Sequence, residues 1–200
     1  MAKANWVKVT PPSGSGNVNV NVSSTAEHTG RMARTTILTW KAANVANIER
    51  TVSQAGKPEY VDVADAASAD KAGKTVTISG VSNSKKLTFT LGTGDLTITL
   101  PSSYTANSVS TSNGANISGD PGAVAEYTFS ISINVPPNTS TTAKTRQIIV
   151  TDEGGHQDIC LLTSASGDAY VTVTEGVIEL DYKGTEVTVE VKSNTSWTIE

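Results

Sequence analysis

The stretch NWVKVTPPSGSGNVNVNV, Asn5 to Val22, sets two runs of alternating apolar and polar residues on either side of a Pro-, Ser- and Gly-rich segment. Val18-Asn19-Val20-Asn21-Val22 alternates strictly, as a strand does when one face meets a core and the other meets water. Pro11-Pro12-Ser13-Gly14-Ser15-Gly16 carries the residues that tight turns need. With only four residues ahead of it, the stretch reads as the interior of a β-domain whose opening strands lie elsewhere.

The same two-residue period recurs at Thr75–Ile78, Leu87–Leu91, Leu96–Leu100, Tyr127–Val135, Arg146–Val150, Tyr170–Val173 and Val187–Val191. Clusters of Pro, Gly, Ser and Asn separate these runs. Lys41–Glu49 (KAANVANIE) has the spacing of a short helical turn between strands, and the polar Ser102–Gly122 reads as a long loop. Many short strands with regular turn signals predict an all-β chain of antiparallel sandwiches.

Composition narrows the function. Of the 200 residues 37% are hydrophobic, enough for ordinary cores, and 17% are charged, with a net charge of -4. No basic footprint marks a nucleic-acid partner. No apolar run approaches the roughly eighteen residues that would span a membrane. MAKANWVKV has no apolar core of a secretory leader, which predicts synthesis and folding in a cytoplasm. The single cysteine, Cys160, lies in the apolar run Ile159–Leu162 and reads as a buried small hydrophobe without a disulfide partner in the chain.

Internal repetition sets the domain organisation. One order of features (alternating strand, loop, Arg, apolar strand, second strand, small residues and Gly) runs from Val18 through Arg34 to Gly56, and again from Phe129 through Arg146 to Gly167. A front half also occurs twice. Tyr60-Val61-Asp62-Val63 matches Tyr170-Val171-Thr172-Val173, and Leu87–Leu91 followed by Leu96–Ile98 aligns with Val187–Val191 followed by Trp197–Ile199. The predicted units are therefore a back half at 1–57, a complete sandwich at 58–167 and a front half at 168–200. Together the two halves have the size of one sandwich, about 90 residues.

SNTSWTIE at 193–200, NWVKVTPPSGSGNVNVNV at 5–22 and RTVSQAGK at 50–57 resemble pieces of a BACON domain, the Bacteroidetes-associated carbohydrate-binding often N-terminal domain. That resemblance implies tandem immunoglobulin-like sandwiches, one of them split between the chain ends, in the order 168–200 followed by 1–57. The middle unit resembles the family more loosely, lacking both tryptophans and the SGSG turn. Carbohydrate binding is the function the resemblance implies.

A sandwich that lacks strands leaves edge groups and an apolar face open to another segment. The connectors Gly56–Glu59 and Ala165–Ala169 each reach only about 15 Å. That is short for bringing both halves to one side of the middle unit. Completion between chains, head to tail, is the expectation. Trp6, Val7, Val9, Val187, Val189, Val191, Trp197 and Ile199 are the candidate assembly residues. Closure within one chain and a slice of a longer array are the alternatives.

Chemistry finds little in the sequence, and no catalytic, metal or cofactor residue is predicted. His28 and His156 sit in polar turn contexts beside no nucleophile signature and read as solvated loop histidines. Asp152-Glu153-Gly154-Gly155 lacks calcium-loop spacing and reads as a hairpin turn. The sequons at Asn116, Asn138 and Asn194 read as chance in so polar a chain. Trp40 and Tyr104 are the candidate rings for a glycan, although packing under Lys41–Glu49 is the favoured reading of Trp40.

These readings predict a structural protein that binds copies of itself and other virion proteins, as an auxiliary capsid or tail-associated component of a bacteriophage. The second expectation is a carbohydrate-binding module of a larger surface protein or glycoside hydrolase.

Overall fold

A computed structural model describes residues 3–200; Met1 and Ala2, at the start of the predicted 1–57 unit, lie outside the described residues. The chain is all-β. Its strands are β1 (Val7–Thr10), β2 (Asn21–Ser24), β3 (Arg34–Ala42), β4 (Val45–Gln54), β5 (Val61–Val63), β6 (Ala66–Ala69), β7 (Lys74–Ser82) and β8 (Leu87–Gly94). They continue as β9 (Ser103–Ala106), β10 (Val109–Ser112), β11 (Tyr127–Val135), β12 (Lys144–Asp152), β13 (Gln157–Ser164), β14 (Val171–Val173) and β15 (Val191–Ser193), with one 3-10 turn at Pro121–Ala123.

Residues 58–167 form two sheets around one core. The order β10-β9-β11-β7-β5 faces the order β6-β13-β12-β8. Every pairing is antiparallel except β6 with β13. Alternation decides the inward face. In β11, Tyr127, Phe129, Ile131, Ile133 and Val135 are buried, and the residues between them point outward. They meet Val76 and Ile78 of β7, Leu87 and Phe89 of β8, and Ile148, Val150, Cys160 and Leu162 of the opposite sheet. The Phe89 ring lies 5.9 Å from Phe129 in an edge-on arrangement. Cys160 is fully buried, as its apolar context predicts, and burial pushes its thiol up to about 11.

Among the described residues the flanking segments hold two-stranded pairs only: β1 with β2, β3 with β4, and β14 with β15. Lys41–Glu49 is not a helical turn. It is the tip of the β3–β4 hairpin, where Ala42 faces Val45 and Asn44 takes a left-handed φ of 61°.

Three strand expectations shorten in the structure. Of Val18–Val22 only Asn21 onward lies in β2, and of Val187–Val191 only Val191 lies in β15. In both cases the remaining residues have no neighbouring strand, and a ladder needs one. Leu96–Leu100 forms no strand; Asp95 and Leu96 both donate their N–H groups to Thr145 O, and Arg146 Nε donates to Leu96 O at 2.8 Å. Ser102–Gly122 is more than a loop, because it contains the β9–β10 hairpin, which extends the sheet of β11.

Phe129→Ala is expected to cost about 3–5 kcal/mol by emptying the centre of the middle unit. Ile199, 85% exposed, is expected to cost under about 0.5 kcal/mol on the same truncation. Guanidinium unfolding of the dilute protein checks both.

Candidate functional site

Two features stand out: a joint built twice from the same residues, and two apolar faces left open. The first joint links residues 3–57 to the middle unit. Asn83, fully buried just past β7, donates from Nδ2 to Thr29 O, Lys57 O and Pro58 O at 3.2–3.3 Å, and its Oδ1 accepts Tyr60 N–H at 3.0 Å. Ser82 Oγ donates to Tyr60 O at 2.7 Å, and Lys57 N–H donates to Gly30 O at 2.9 Å.

The second joint links the middle unit to residues 168–200 and repeats these contacts about 110 positions later. Asn194 Nδ2 donates to Thr139 O and Asp168 O at 2.9 Å, and its Oδ1 accepts Tyr170 N–H at 3.0 Å. Ser193 Oγ donates to Tyr170 O at 2.9 Å, and Gly167 N–H donates to Ser140 O at 2.7 Å. At the first joint the carbonyls are partly buried, where leaving them unpaired is costly, so one asparagine that satisfies several at once ties the linker there. The second joint repeats the pattern at the surface.

The first joint carries a further lock. Arg31 pairs through both guanidinium NH2 groups with the Asp120 carboxylate and donates to Asn83 O. Gly122 lies so close to Asn83 that a Cβ would meet the Asn83 carbonyl oxygen at 2.0 Å. The hydrogen bond to Arg31 holds the Asp120 carboxyl below the usual carboxylate range.

The two joints sit at opposite ends of the middle unit. Ser82, next to the first, ends β7; Lys74, which starts it, follows Lys71, whose ammonium pairs with Asp168 at the second. Nine residues of β7 at about 3.3 Å each put the ends about 30 Å apart.

The repeated joints fix which residues correspond, and they move two of the sequence alignments. The turn Asp70–Gly73, with Gly73 at φ 74°, returns as Asp181–Gly184, with Gly184 at φ 68°. Residues 185–193 therefore correspond to β7, not to β8. Beyond them the chain is one residue shorter, two residues after Asn194 against three after Asn83, and with that residue left out Trp197–Ile199 matches Leu87–Phe89 in alternation. The pairing of β14 with β15 confirms it: Val171 faces Ser193 and Val173 faces Val191, as Val61 faces Ser82 and Val63 faces Gly80. Likewise Lys57 matches Gly167, which aligns the β3–β4 hairpin with β12–β13 and sets Arg34 against Lys144, not Arg146.

On this correspondence the open faces are core faces. Val63, Ala69, Val76, Leu87 and Phe89 are all at most 7% exposed, whereas their counterparts Val173, Leu180, Val187, Trp197 and Ile199 are 45–85% exposed. On residues 3–57, Val18, Val20, Val22 and Trp40 stand where the middle unit has buried Phe129, Ile131, Ile133 and Val150. Val9, Pro12, Gly14, Leu38 and Trp40 line an open groove of about 520 Å³ there. The pattern is broken at Arg50, which stands where Cys160 is buried, and at Ser24, which stands where Val135 is buried.

The candidate assembly residues fall on these faces apart from Trp6 and Val7. Val7 is buried against β2, and Val9 faces Val22 and lines the groove. Val187, Trp197 and Ile199 are exposed, while Val189 and Val191 are half-buried. Trp6 is engaged outside the groove, with the Arg34 guanidinium 4.7 Å over its ring.

Of the two glycan candidates, Trp40 is 42% exposed on β3. Tyr104 is corrected: it is 3% exposed, with its ring 4.8 Å from Phe89, because β9 carries it into the core. His28 is also corrected, being buried and donating from Nε2 to Met32 O at 2.7 Å. His156 is exposed, and its Nδ1 donates to Asp152 at 2.8 Å across the hairpin turn. Asn138 and Asn194 are structural anchors in place of incidental sequons; Asn138 Nδ2 donates to Thr142 O and Ala165 O. Among the described residues, no group of three or more His, Cys, Asp and Glu side chains gathers as a metal site.

Sequence reasoning passed over Asn83 and Asn194. Their signal was the pair Ser82-Asn83 and Ser193-Asn194 at nearly equal distance from Tyr60 and Tyr170. No protein-family model and no curated protein sequence matches the chain.

Because the folded pKa of Asp120 lies below its unfolded one, its pair with Arg31 stabilises the joint above the ordinary aspartate value of about 3.9, and that contribution is lost as pH falls through the folded value. Asp120→Asn is expected to cost about 1 kcal/mol near neutral pH, the pair being partly exposed, and the difference from the parent is expected to shrink as the pH falls below the ordinary aspartate range. Thermal unfolding across that range measures it.

Proposed function

We propose that this chain is a non-enzymatic structural protein that assembles head to tail, residues 168–200 of one copy completing residues 3–57 of the next. The observation that carries the reading is the matched exposure of the two halves. Each opens to solvent the residues that the corresponding halves of the middle unit bury against each other. A sheet that buries nothing on its apolar face forgoes roughly 25 cal/mol for each Å² left wet, and unpaired strand edges add to the drive for a partner.

The same arrangement favours a partner from another copy. The two halves are anchored about 30 Å apart, on opposite ends of a rigid sandwich, by joints that leave little slack. A front half on one end and a back half on the other make a heterologous contact, which repeats until a ring closes or a filament grows. Each protomer then contributes one complete and one composite sandwich, joined throughout by the same asparagine-centred contacts.

The resemblance of the terminal segments to BACON domains supports an immunoglobulin-like identity for these units. With the polar, Thr-rich outer faces, it favours a particle surface as the setting. We read the protein as an auxiliary capsid or tail-associated component of a bacteriophage.

Light scattering across a concentration series is expected to give masses that are multiples of 20.8 kDa. Deletion of Lys192–Glu200, which removes Asn194, Trp197 and Ile199, is expected to leave monomers. A parent chain that stays monomeric at every concentration overturns the assembly reading. Mass spectrometry of purified virions is expected to find the chain, and its absence there overturns the virion reading alone.

A further inference from the structure

The middle unit shows how a front half and a back half of this chain interlock, strand by strand. Ile133 of β11 faces Val76 of β7, Ser132 faces Thr77 and Ile131 faces Ile78. In the other sheet Val150 of β12 faces Phe89 of β8, and β6 runs parallel to β13 with Ser164 beside Ala69.

Each of these residues has a counterpart in the flanking halves. The β1–β2 pairing gives the inward phase of β2, because buried Val7 faces Ser24 and Val9 faces Val22. That phase sets Val18, Val20 and Val22 inward like Phe129, Ile131 and Ile133, and matching the two alternating runs in order puts Val22 in the place of Ile133, Asn21 in that of Ser132 and Val20 in that of Ile131. Thr188 and Val189 take the places of Thr77 and Ile78, as the repeated Asp–Gly turns fix. Trp40 takes the place of Val150, and Ile199 that of Phe89.

The strand edges that this interlocking needs are open. Among the described residues β2 pairs with β1 alone, β3 and β4 pair only with each other, and β15 pairs with β14 alone. In the middle unit the corresponding β11, β12, β13 and β7 each have neighbours on both sides.

Resting on the head-to-tail reading, we infer that the composite sandwich forms in a single register, in which residues 185–193 of one copy run antiparallel along residues 18–24 of the next, with Thr188 opposite Asn21. In the second sheet residues 197–200 run antiparallel to β3 with Ile199 opposite Trp40. The segment ending at Leu180 runs parallel to β4 with Leu180 beside Gln54.

Phase is strongly specified here, because a one-residue slip would turn Val18, Val20 and Val22 away from the core and present Asn19 and Asn21 to it. The side chains across the seam also fit in size. Large Trp40 meets Ile199 where small Val150 meets Phe89, so bulk moves from one strand to the other while the pair fills a similar space. The assembled order, β1, β2, then β15 and β14 of the next copy, reproduces the central and edge order β9-β11-β7-β5 of the complete unit.

Paired cysteines test this. In the complete unit the Thr77 and Ser132 hydroxyls are 3.1 Å apart, so thiols at the matching positions come within disulfide reach. Asn21 is exposed on β2 and Thr188 is exposed on the opposing segment, so neither substitution touches a core. Cys160 is fully buried and stays out of the exchange.

The chain carrying Asn21→Cys and Thr188→Cys, oxidised gently, is expected to give a ladder of covalent oligomers on a non-reducing gel. Asn19→Cys with Thr188→Cys, displaced by two residues to a diagonal position, is expected to cross-link about tenfold more slowly. Light scattering of the unsubstituted chain is read beside the gel. Multimers with a faster 19–188 ladder, or with no ladder from either pair, overturn the register and leave assembly standing. A monomer in solution overturns the head-to-tail reading itself. A cross-link confined within single chains shows closure in cis and overturns both.

Discussion

Two sheets with apolar inner faces are stable only when those faces meet, and that requirement governs this molecule from end to end. In residues 58–167 it is met within the chain. β11 and β7 present Phe129, Ile131, Ile133, Val76 and Ile78 to Ile148, Val150 and Leu162 across the core, and little of any of them reaches water. The flanking segments are cut from the same pattern, and each holds only one side of it. Val7 and Leu38 are buried there, but most of the other apolar residues are ordered by hairpins and joints without being buried, with Trp40 and Trp197 both close to half exposed.

The joints make this arrangement a directional one. Asn83 and Asn194 each gather the linker carbonyls, a loop carbonyl of the preceding unit and the N–H of a following tyrosine, so each unit is held to the last at a set angle. An asparagine suits the task because its amide both donates and accepts from one planar group. Arg31 and Asp120 add a charged pair to the first joint, where the back half of one unit meets the loops of the next. Completion of a neighbour's sandwich would then extend an orientation already present in the single chain.

Much of the fold was legible because alternation and turn residues are local signals. Tyr127–Val135 is a strand over the whole predicted range, and the Asp152–Gly155 turn closes a hairpin as its residues suggest. What escaped the sequence depended on partners. Val187–Val191 alternates perfectly yet forms little ladder, since pairing belongs to the neighbouring strand as much as to the residue. Tyr104 looked like a ring on a polar loop, but a four-residue hairpin strand carries it under Phe89. The helical spacing of Lys41–Glu49 yielded to a hairpin because Ala43-Asn44 accommodates a tight turn. Of the candidate interface, the apolar phases of Val9, Val187 and Ile199 were readable, whereas Asn83 and Asn194 were hidden among many polar residues of similar kind.

The placement of the joints also bears on how the molecule would carry load. In a head-to-tail array, tension would enter the middle unit at Tyr60, ahead of β5, and leave after Ser164 at the far end of β13. Both strands run along the line of pull, and β5 is bonded to β7 while β13 is bonded to β12 and β6. Stretching would therefore shear these ladders, so that their hydrogen bonds share the force and fail together. Peeling them one at a time would need a pull across the strands. The same alignment would hold for residues 171–173 in the composite unit. A thread of such domains would resist being drawn out far better than being bent sideways.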